Sequence, residues 1–257
     1  MILRPLEPLP VNDREWGPAW EVVERFQRQK YESCWMITQP SHAALAGEIA
    51  AKLDGPQIPK LDANLIRAIA LHDAGWGMPD AETITHGRSA GSRPKSFLET
   101  PVAEFLDAWA QSIQVAQSTG PAGGYIVSRH FSALATHRTL HQVVDTGSER
   151  ELIQRFLLNE EKRQKRLASR QGRTAEELEQ LTQVLQFCDL LSLYICSGAR
   201  DSVEFPHYFG VRVRLQVEGE GYRLEPALVA RSQLEVAALW HPATKERSGK
   251  EIGITIL

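Results

Sequence analysis

Hydrophobic residues recur every three to four positions through the middle of the chain, a spacing that predicts a series of helices. Thr174 and Glu177 have the spacing of a capping box at the start of the last of them. Asp62 is placed to cap a helix that ends at the doublet His72-Asp73. That last helix covers residues 174–196, and the other predicted helices cover residues 20–30, 41–53, 101–118, 123–141 and 148–170.

Toward both ends of the chain the pattern changes to alternation of apolar and polar residues, which is typical of strands. The predicted strands cover residues 2–6, 34–38, 211–217, 222–228, 233–239 and 252–257. Between residues 75 and 100, glycine and proline are frequent, and this segment is predicted to be a long loop. We therefore expect one domain over residues 1–257, with a helical core at about 39–200 and an accessory sheet from about 1–38 and 203–257.

Composition narrows the class of protein. The chain has 257 residues, of which 42% are hydrophobic and 24% charged, with a net charge of −3. These values are typical of a soluble globular protein and give no electrostatic reason to expect nucleic acid or a membrane as partner. The charge run at 160–166 has the spacing of an exposed, self-paired helix face. Because no apolar run is long enough to span a membrane and the start lacks a signal-peptide core, we expect a cytoplasmic protein.

Candidate chemistry lies on the apolar faces of the predicted helices. His42 shares a face with Leu45 and Ile49, and His130 lies among apolar residues of a later helix. A buried aspartate must be paired or bound to a cation, so Asp189, within the apolar segment 184–191, is the most informative position. Adjacent residues on a helix point about 100° apart, so His72 and Asp73 can aim at one point only from a helix end or a distortion. A metal ion suits imidazole and carboxylate groups brought together in this way.

Three stretches carry a resemblance to a known superfamily: residues 37–43 (ITQPSHA), 70–76 (ALHDAGW) and 187–193 (FCDLLSL). The order His42, His72-Asp73, Asp189 resembles the signature of the HD-domain metal-dependent phosphohydrolases. More narrowly, the chain is similar to a bacterial HD-like family of unknown function. The resemblance implies a mainly α fold, an HD-domain helical bundle with a small antiparallel sheet formed by the N- and C-terminal segments.

The resemblance also implies a metal centre. His42, His72, Asp73 and Asp189 would bind one or two divalent transition metal ions (Mn, Fe, Ni, Co or Zn). His130 would be either a ligand of a second metal or an acid–base residue, and Asp73 would take part in catalysis as well as binding. A second extra histidine would complete a dinuclear set, for which His86 in the long loop is a candidate.

The implied substrate is a small, anionic molecule, a phosphorylated compound or nucleotide hydrolysed with the help of the metal. Arg88, Arg93 and Lys95 are candidate contacts for its negative charge. Trp76 stands where many superfamily members have a lysine, and it could form a wall of the substrate pocket. Two alternatives stay open: an HD-type di-iron oxygenase, and a protein that binds a metal without catalysis.

Overall fold

The computed structural model describes residues 1–11, 16–90, 93–141, 145–242 and 249–257, with the backbone alone at 86–90 and 141. The helices within these ranges are α1 (Ala19–Gln27), α2 (Gln39–Ala50), α3 (Ala63–Ala70), α4 (Gly77–Ala90), α5 (Val102–Gln117), α6 (Pro121–His141), α7 (Gly147–Ala168) and α8 (Ala175–Cys196). The strands are β1 (Ile2–Pro5), β2 (Gly17–Pro18), β3 (Cys34–Ile37), β4 (Val203–Glu204), β5 (Arg214–Glu218), β6 (Gly221–Glu225), β7 (Ser232–His241) and β8 (Gly249–Ile256).

The strands form one mixed sheet in the order β1-β3-β7-β8-β6-β5-β4-β2. β2 pairs with β4, and β6 with β8, in parallel, whereas the other neighbours are antiparallel. The fold is therefore α/β, and the prediction of a mainly α protein with a small antiparallel sheet is wrong. The reason is that the two-residue strands β2 and β4 are too short to show alternation, and pairings between distant segments leave no local pattern.

The segment predicted as a long loop contains a helix. A short 3₁₀ turn at Ala74–Trp76 leads directly into α4. Gly77 starts this helix, and Pro79 lies in its first turn, where no intrahelical hydrogen bond needs its missing N–H. The prediction of a long loop is therefore wrong for residues 77–90, because glycine and proline are also compatible with the first turn of a helix.

One hydrophobic core joins the helices to the sheet. Along β7 the side chains alternate between buried and exposed, so one face of the sheet is covered. The covered side packs on α1, α2 and α8. α2 and α8 are also neighbours of each other, and α3 and α6 pack beside them, so these four helices lie at the centre of the fold. None of the described helices combines the length and the apolar character needed to cross a bilayer.

Candidate metal centre

α2 carries His42 into the centre of the fold. The helix begins after Thr38, whose side-chain oxygen accepts a hydrogen bond from the backbone N–H of Ser41. This cap fixes the start of the helix, so the positions of its inward face are set. His42 lies on that face with Leu45 and Ile49, and its side chain is fully buried.

The doublet lies just beyond the end of α3, which begins after Asp62 as its capping position predicts. The backbone leaves the helical conformation at Leu71 (φ −110°, ψ 5°) and again at Asp73 (φ −112°, ψ 21°). His72 and Asp73 therefore occupy a turn rather than a helix, and this distortion lets two adjacent side chains face the same site. Both are buried.

α8 supplies Asp189 from a segment that is otherwise almost entirely apolar and buried. Its start shows the expected capping box of Thr174 and Glu177. One turn after Asp189, Ser192 is fully buried and donates its hydroxyl hydrogen to the backbone carbonyl of Asp189 at 2.9 Å.

The five predicted ligands meet at one place. His42 Nε2 lies 2.9 Å from Asp73 Oδ2 and 3.7 Å from Asp189 Oδ1. His72 Nε2 lies 3.2 Å from Asp189 Oδ1 and 3.7 Å from Asp73 Oδ2. His130 Nε2 lies 3.6 Å from Asp189 Oδ2. Groups from four separate parts of the chain thus direct their ligand atoms toward one another.

The hydrogen bonds on the outer side of the rings fix which nitrogen carries the proton. His72 Nδ1 lies 2.8 Å from the carbonyl oxygen of Ile69, which can only accept, so Nδ1 is the donor. His42 Nδ1 lies 2.8 Å from Ser192 Oγ, whose only hydrogen is given to the Asp189 carbonyl, so this Nδ1 is also a donor. In the neutral ring each Nε2 then carries a lone pair directed at a carboxylate oxygen. Two facing acceptors repel each other unless a cation, either a metal ion or an added proton, lies between them.

The spacing fits a metal ion. One ligand atom from each of His42, His72 and Asp189 lies within 4.8 Å of the others, and this buried group could bind a metal. Around an ion with bonds of about 2.1 Å, neighbouring ligand atoms are roughly 3.0 Å apart in octahedral and 3.4 Å apart in tetrahedral geometry. The separations of 2.9–3.7 Å between these atoms are close to these values. Outer hydrogen bonds that orient each imidazole are likewise typical of histidine ligands.

The pKa values of His72 and Asp189 indicate which groups are charged when no metal is bound. Burial opposes a charged His72, but Asp73 and Asp189 outweigh it and raise the pKa of His72 to about 9. Burial likewise opposes a charged Asp189, yet the hydrogen bond from His72 and the neighbouring histidines lower its pKa to about 2. The Asp189 carboxylate therefore stays ionised, and without a metal a proton on His72 supplies a compensating positive charge.

His130 differs from the other two histidines. Burial lowers its pKa to about 4, so the ring is neutral near pH 7. Its Nδ1 is buried and has no hydrogen-bond partner among the described residues. A neutral imidazole is the form that binds metals, whereas it has no extra proton to give to a leaving group. These properties favour the ligand role of His130 over the acid role.

The predicted substrate contacts and the second-metal candidate His86 lie elsewhere or cannot be placed. The side chains of Arg88 and His86 lie outside the part of the chain that the structure describes. Trp76, Arg93 and Lys95 line a neighbouring cavity of about 520 Å³, and Arg93 is paired with Glu99. The described lining of this cavity includes none of the five ligand candidates, and it carries five carboxylates: Asp80, Glu82, Glu99, Glu104 and Asp107.

Two features near the site were missed by sequence reasoning. Ser192 is the first, although its position three residues after Asp189 places it on the same helix face. The second is Glu160, which was expected on an exposed, self-paired face. Its side chain is instead buried between α6 and α7, where it accepts a hydrogen bond from Ser128 at 2.8 Å and pairs with Arg163 at 3.0 Å. Because Ser128 lies two residues before His130, this contact helps to fix α6 in the bundle.

Comparison with known proteins finds one family. Residues 26–238 match a family described as "Protein of unknown function (DUF3891)". The match covers α2, α3, α6 and α8 and therefore every candidate ligand. No curated protein and no solved structure matches the chain.

Proposed function

Since the chain belongs to the DUF3891 family, whose description assigns no function, we propose from the geometry of the buried site that it is a metal-dependent phosphohydrolase of the HD type. The proposed substrate is a small phosphorylated molecule or nucleotide. The observation that carries the proposal is the orientation of His42 and His72, whose Nε2 lone pairs both face carboxylate oxygens. A divalent cation satisfies all four groups at once.

The residues divide into distinct roles. His42, His72 and Asp189 hold the metal, and Asp73 lies close enough to both Nε2 atoms to complete the set. The two carboxylates carry two negative charges, which a divalent ion neutralises. When bound, such an ion lowers the pKa of a coordinated water and stabilises negative charge on a phosphoryl oxygen. Imidazole and carboxylate ligands favour Mn, Fe, Co, Ni or Zn over calcium.

Access to the site is restricted. The side chains of His42 and His72 have no exposed surface, whereas those of Asp73 and Asp189 are 9% and 12% exposed. A ligand from solvent therefore approaches on the side of the two carboxylates. Asp73, at this opening, is placed to orient a water molecule or accept its proton, which supports its proposed catalytic role.

The test is metal content followed by a substrate screen. Protein purified without chelators should contain one to two equivalents of a transition metal, and Asp189→Asn should contain almost none. Asp54→Ala, which alters an exposed aspartate on the loop after α2, is the matched control and should keep its metal. Metal-loaded protein should then hydrolyse a member of a panel of phosphate esters and nucleotides, and Asp73→Ala should not.

Other outcomes separate the alternatives. Absence of transition metal from both the wild type and Asp54→Ala, even after incubation with each ion, contradicts the proposal. Two irons per chain with oxygen consumption and no phosphate release indicate the di-iron oxygenase. A bound metal without turnover on any substrate indicates the non-catalytic protein. We also propose a cytoplasmic location, which three buried cysteines without a disulfide support.

A further inference from the structure

The turn that follows Asp73 packs tightly on α5, a helix that supplies none of the candidate ligands. Gly75 lies at the point of contact. A Cβ at this position would lie 2.1 Å from the carbonyl oxygen of Ala108 and 2.8 Å from the backbone nitrogen of Ser112. Because only a residue without a side chain permits this approach, Gly75 brings the turn directly against the backbone of α5.

A buried hydrogen bond fixes this contact. The N–H of Gly75 donates to Ser112 Oγ at 2.9 Å, and the Ser112 side chain is fully buried. The same turn is closed by Asp73, whose carbonyl oxygen accepts a hydrogen bond from the N–H of Trp76 at 3.1 Å. Ser112 therefore holds a peptide group in the middle of a turn that begins at the candidate ligand Asp73.

The position of the Asp73 carboxylate depends on this turn. The backbone of Asp73 (φ −112°, ψ 21°) has left the helical conformation, so the turn, and not a continuous helix, sets the direction of its side chain. Its Oδ2 lies 2.9 Å from His42 Nε2 and 3.7 Å from His72 Nε2. Because distances between a metal and its ligands vary by only about 0.2 Å, a small shift of the turn is enough to weaken a bond from Asp73 to an ion.

We propose that Ser112 is a positioning residue of the metal centre, which holds the carboxylate of Asp73 at the ion through its hydrogen bond to the Gly75 N–H. The inference rests on the proposed function, in which Asp73 completes the ligand set and acts on the coordinated water. Ser112 acts through the backbone and does not itself bind the metal. In this way α5 sets the geometry of the centre, although none of the candidate ligands belongs to it.

The experiment is a double-mutant cycle on the full chain, with Co²⁺ as the probe. Ser112→Ala leaves the Gly75 N–H without its acceptor. It should weaken Co²⁺ binding about three- to tenfold, the effect of one neutral hydrogen bond, and shift the visible absorption of the bound cobalt. In an Asp73→Ala background the same substitution should not weaken Co²⁺ binding further, because the group that it positions is gone. A purely structural role of Ser112 predicts an equal loss in both backgrounds.

Ser96→Ala is the matched control. Ser96 is also buried and accepts a backbone N–H, that of Leu98 at 3.1 Å, in a short turn that carries none of the candidate ligands. The metal-free forms of Ser96→Ala and Ser112→Ala should both unfold at a lower temperature than the wild type, but Ser96→Ala should bind Co²⁺ normally. Gly75→Ala is a second variant, which pushes the turn away from α5 and should also weaken Co²⁺ binding only when Asp73 is present.

The other outcomes overturn the inference in different ways. Unchanged Co²⁺ affinity and absorption in Ser112→Ala show that Ser112 does not position Asp73, while the metal-centre proposal stands. An equal loss in both backgrounds, or in Ser96→Ala, shows an effect on the fold as a whole. If Asp73→Ala takes up no Co²⁺, the absorption decides, and an unchanged spectrum in Ser112→Ala contradicts the inference. A wild type that takes up no Co²⁺ removes the metal centre itself, and with it the proposed function.

Discussion

Ser192 offers the sharpest test of the argument from proton positions. Its hydroxyl accepts the Nδ1–H of His42 at 2.8 Å in a fully buried setting. Ser192→Ala leaves that N–H without a partner, which costs about 1–3 kcal/mol. His42 can avoid this cost by moving its proton to Nε2 and donating it to Asp73 Oδ2 at 2.9 Å, but this tautomer has no lone pair for a metal. The substitution therefore destabilises the metal-bound site more than the metal-free one.

The expected result is a loss of metal affinity of about ten- to hundredfold, the range found when an outer hydrogen bond to a metal ligand is removed. This corresponds to about 1.4–2.8 kcal/mol. The assay is competitive titration of Co²⁺ or Zn²⁺ against a chromophoric chelator, together with thermal unfolding of the metal-free protein.

Ser197, the C-terminal cap of the same helix, provides a matched control. It is also fully buried, donates to a carbonyl four residues earlier at 2.8 Å, and accepts a hydrogen bond from Gln27 at 3.1 Å. Ser197→Ala should lower stability by a similar amount without changing metal affinity. If Ser192→Ala binds metal within twofold of the wild type, or if Ser197→Ala loses as much affinity, the assignment of the His42 tautomer is refuted.

Three further predictions concern pH, a buried carboxylate and a close backbone contact. The pKa of His72 is about 9 without metal and about 6.5 when unfolded, so its proton stabilises the metal-free fold below pH 6.5 and this contribution is lost as the pH rises through 9. Metal binding must displace the proton, so affinity should rise up to tenfold per pH unit between pH 7 and 9, and a flat profile in metal titrations would contradict this. Glu160→Ala leaves Ser128 and Arg163 without their acceptor and should lower the free energy of unfolding, measured in urea, by about 1–3 kcal/mol. Glu161→Ala, at an exposed position, is the control and should lower it by less than about 0.5 kcal/mol. Gly75→Ala would place a Cβ 2.1 Å from the carbonyl oxygen of Ala108 and should lower the free energy of unfolding by about 1–3 kcal/mol or more. Gly77→Ala is the control, because a Cβ there meets nothing within 4 Å, and it should be tolerated. Equal stabilities of the two variants would show that the turn after Asp73 has room to shift.

Much of the candidate site could be predicted because its polar residues occur at positions where the local pattern predicts buried, apolar side chains. Asp189 stands in an apolar helix, where an acid needs a partner, and His42 lies on an inward face of regular helical spacing. The doublet His72-Asp73 requires a helix end, and the chain indeed leaves the helical conformation at Leu71. These features depend only on nearby residues, so hydrophobic periodicity and capping residues are enough to predict them.

The remainder depends on contacts between distant segments. The parallel pairings of β2 with β4 and of β6 with β8 join segments whose own residues show no preference for direction. α4 was missed because Gly77 and Pro79, which favour loops elsewhere, lie in its first turn. Glu160 was missed because a charge run at helical spacing does not show which acid faces α6.

The position of β8 in the sheet has a consequence for folding. It lies between β7 and β6 and so links the half made of β1, β3 and β7 to the half made of β6, β5, β4 and β2. It follows the other described strands in sequence, so during synthesis the two halves can be joined only after residue 256 has left the ribosome. Until then β7 and β6 each present an unpaired edge, the kind of surface on which nascent chains associate wrongly.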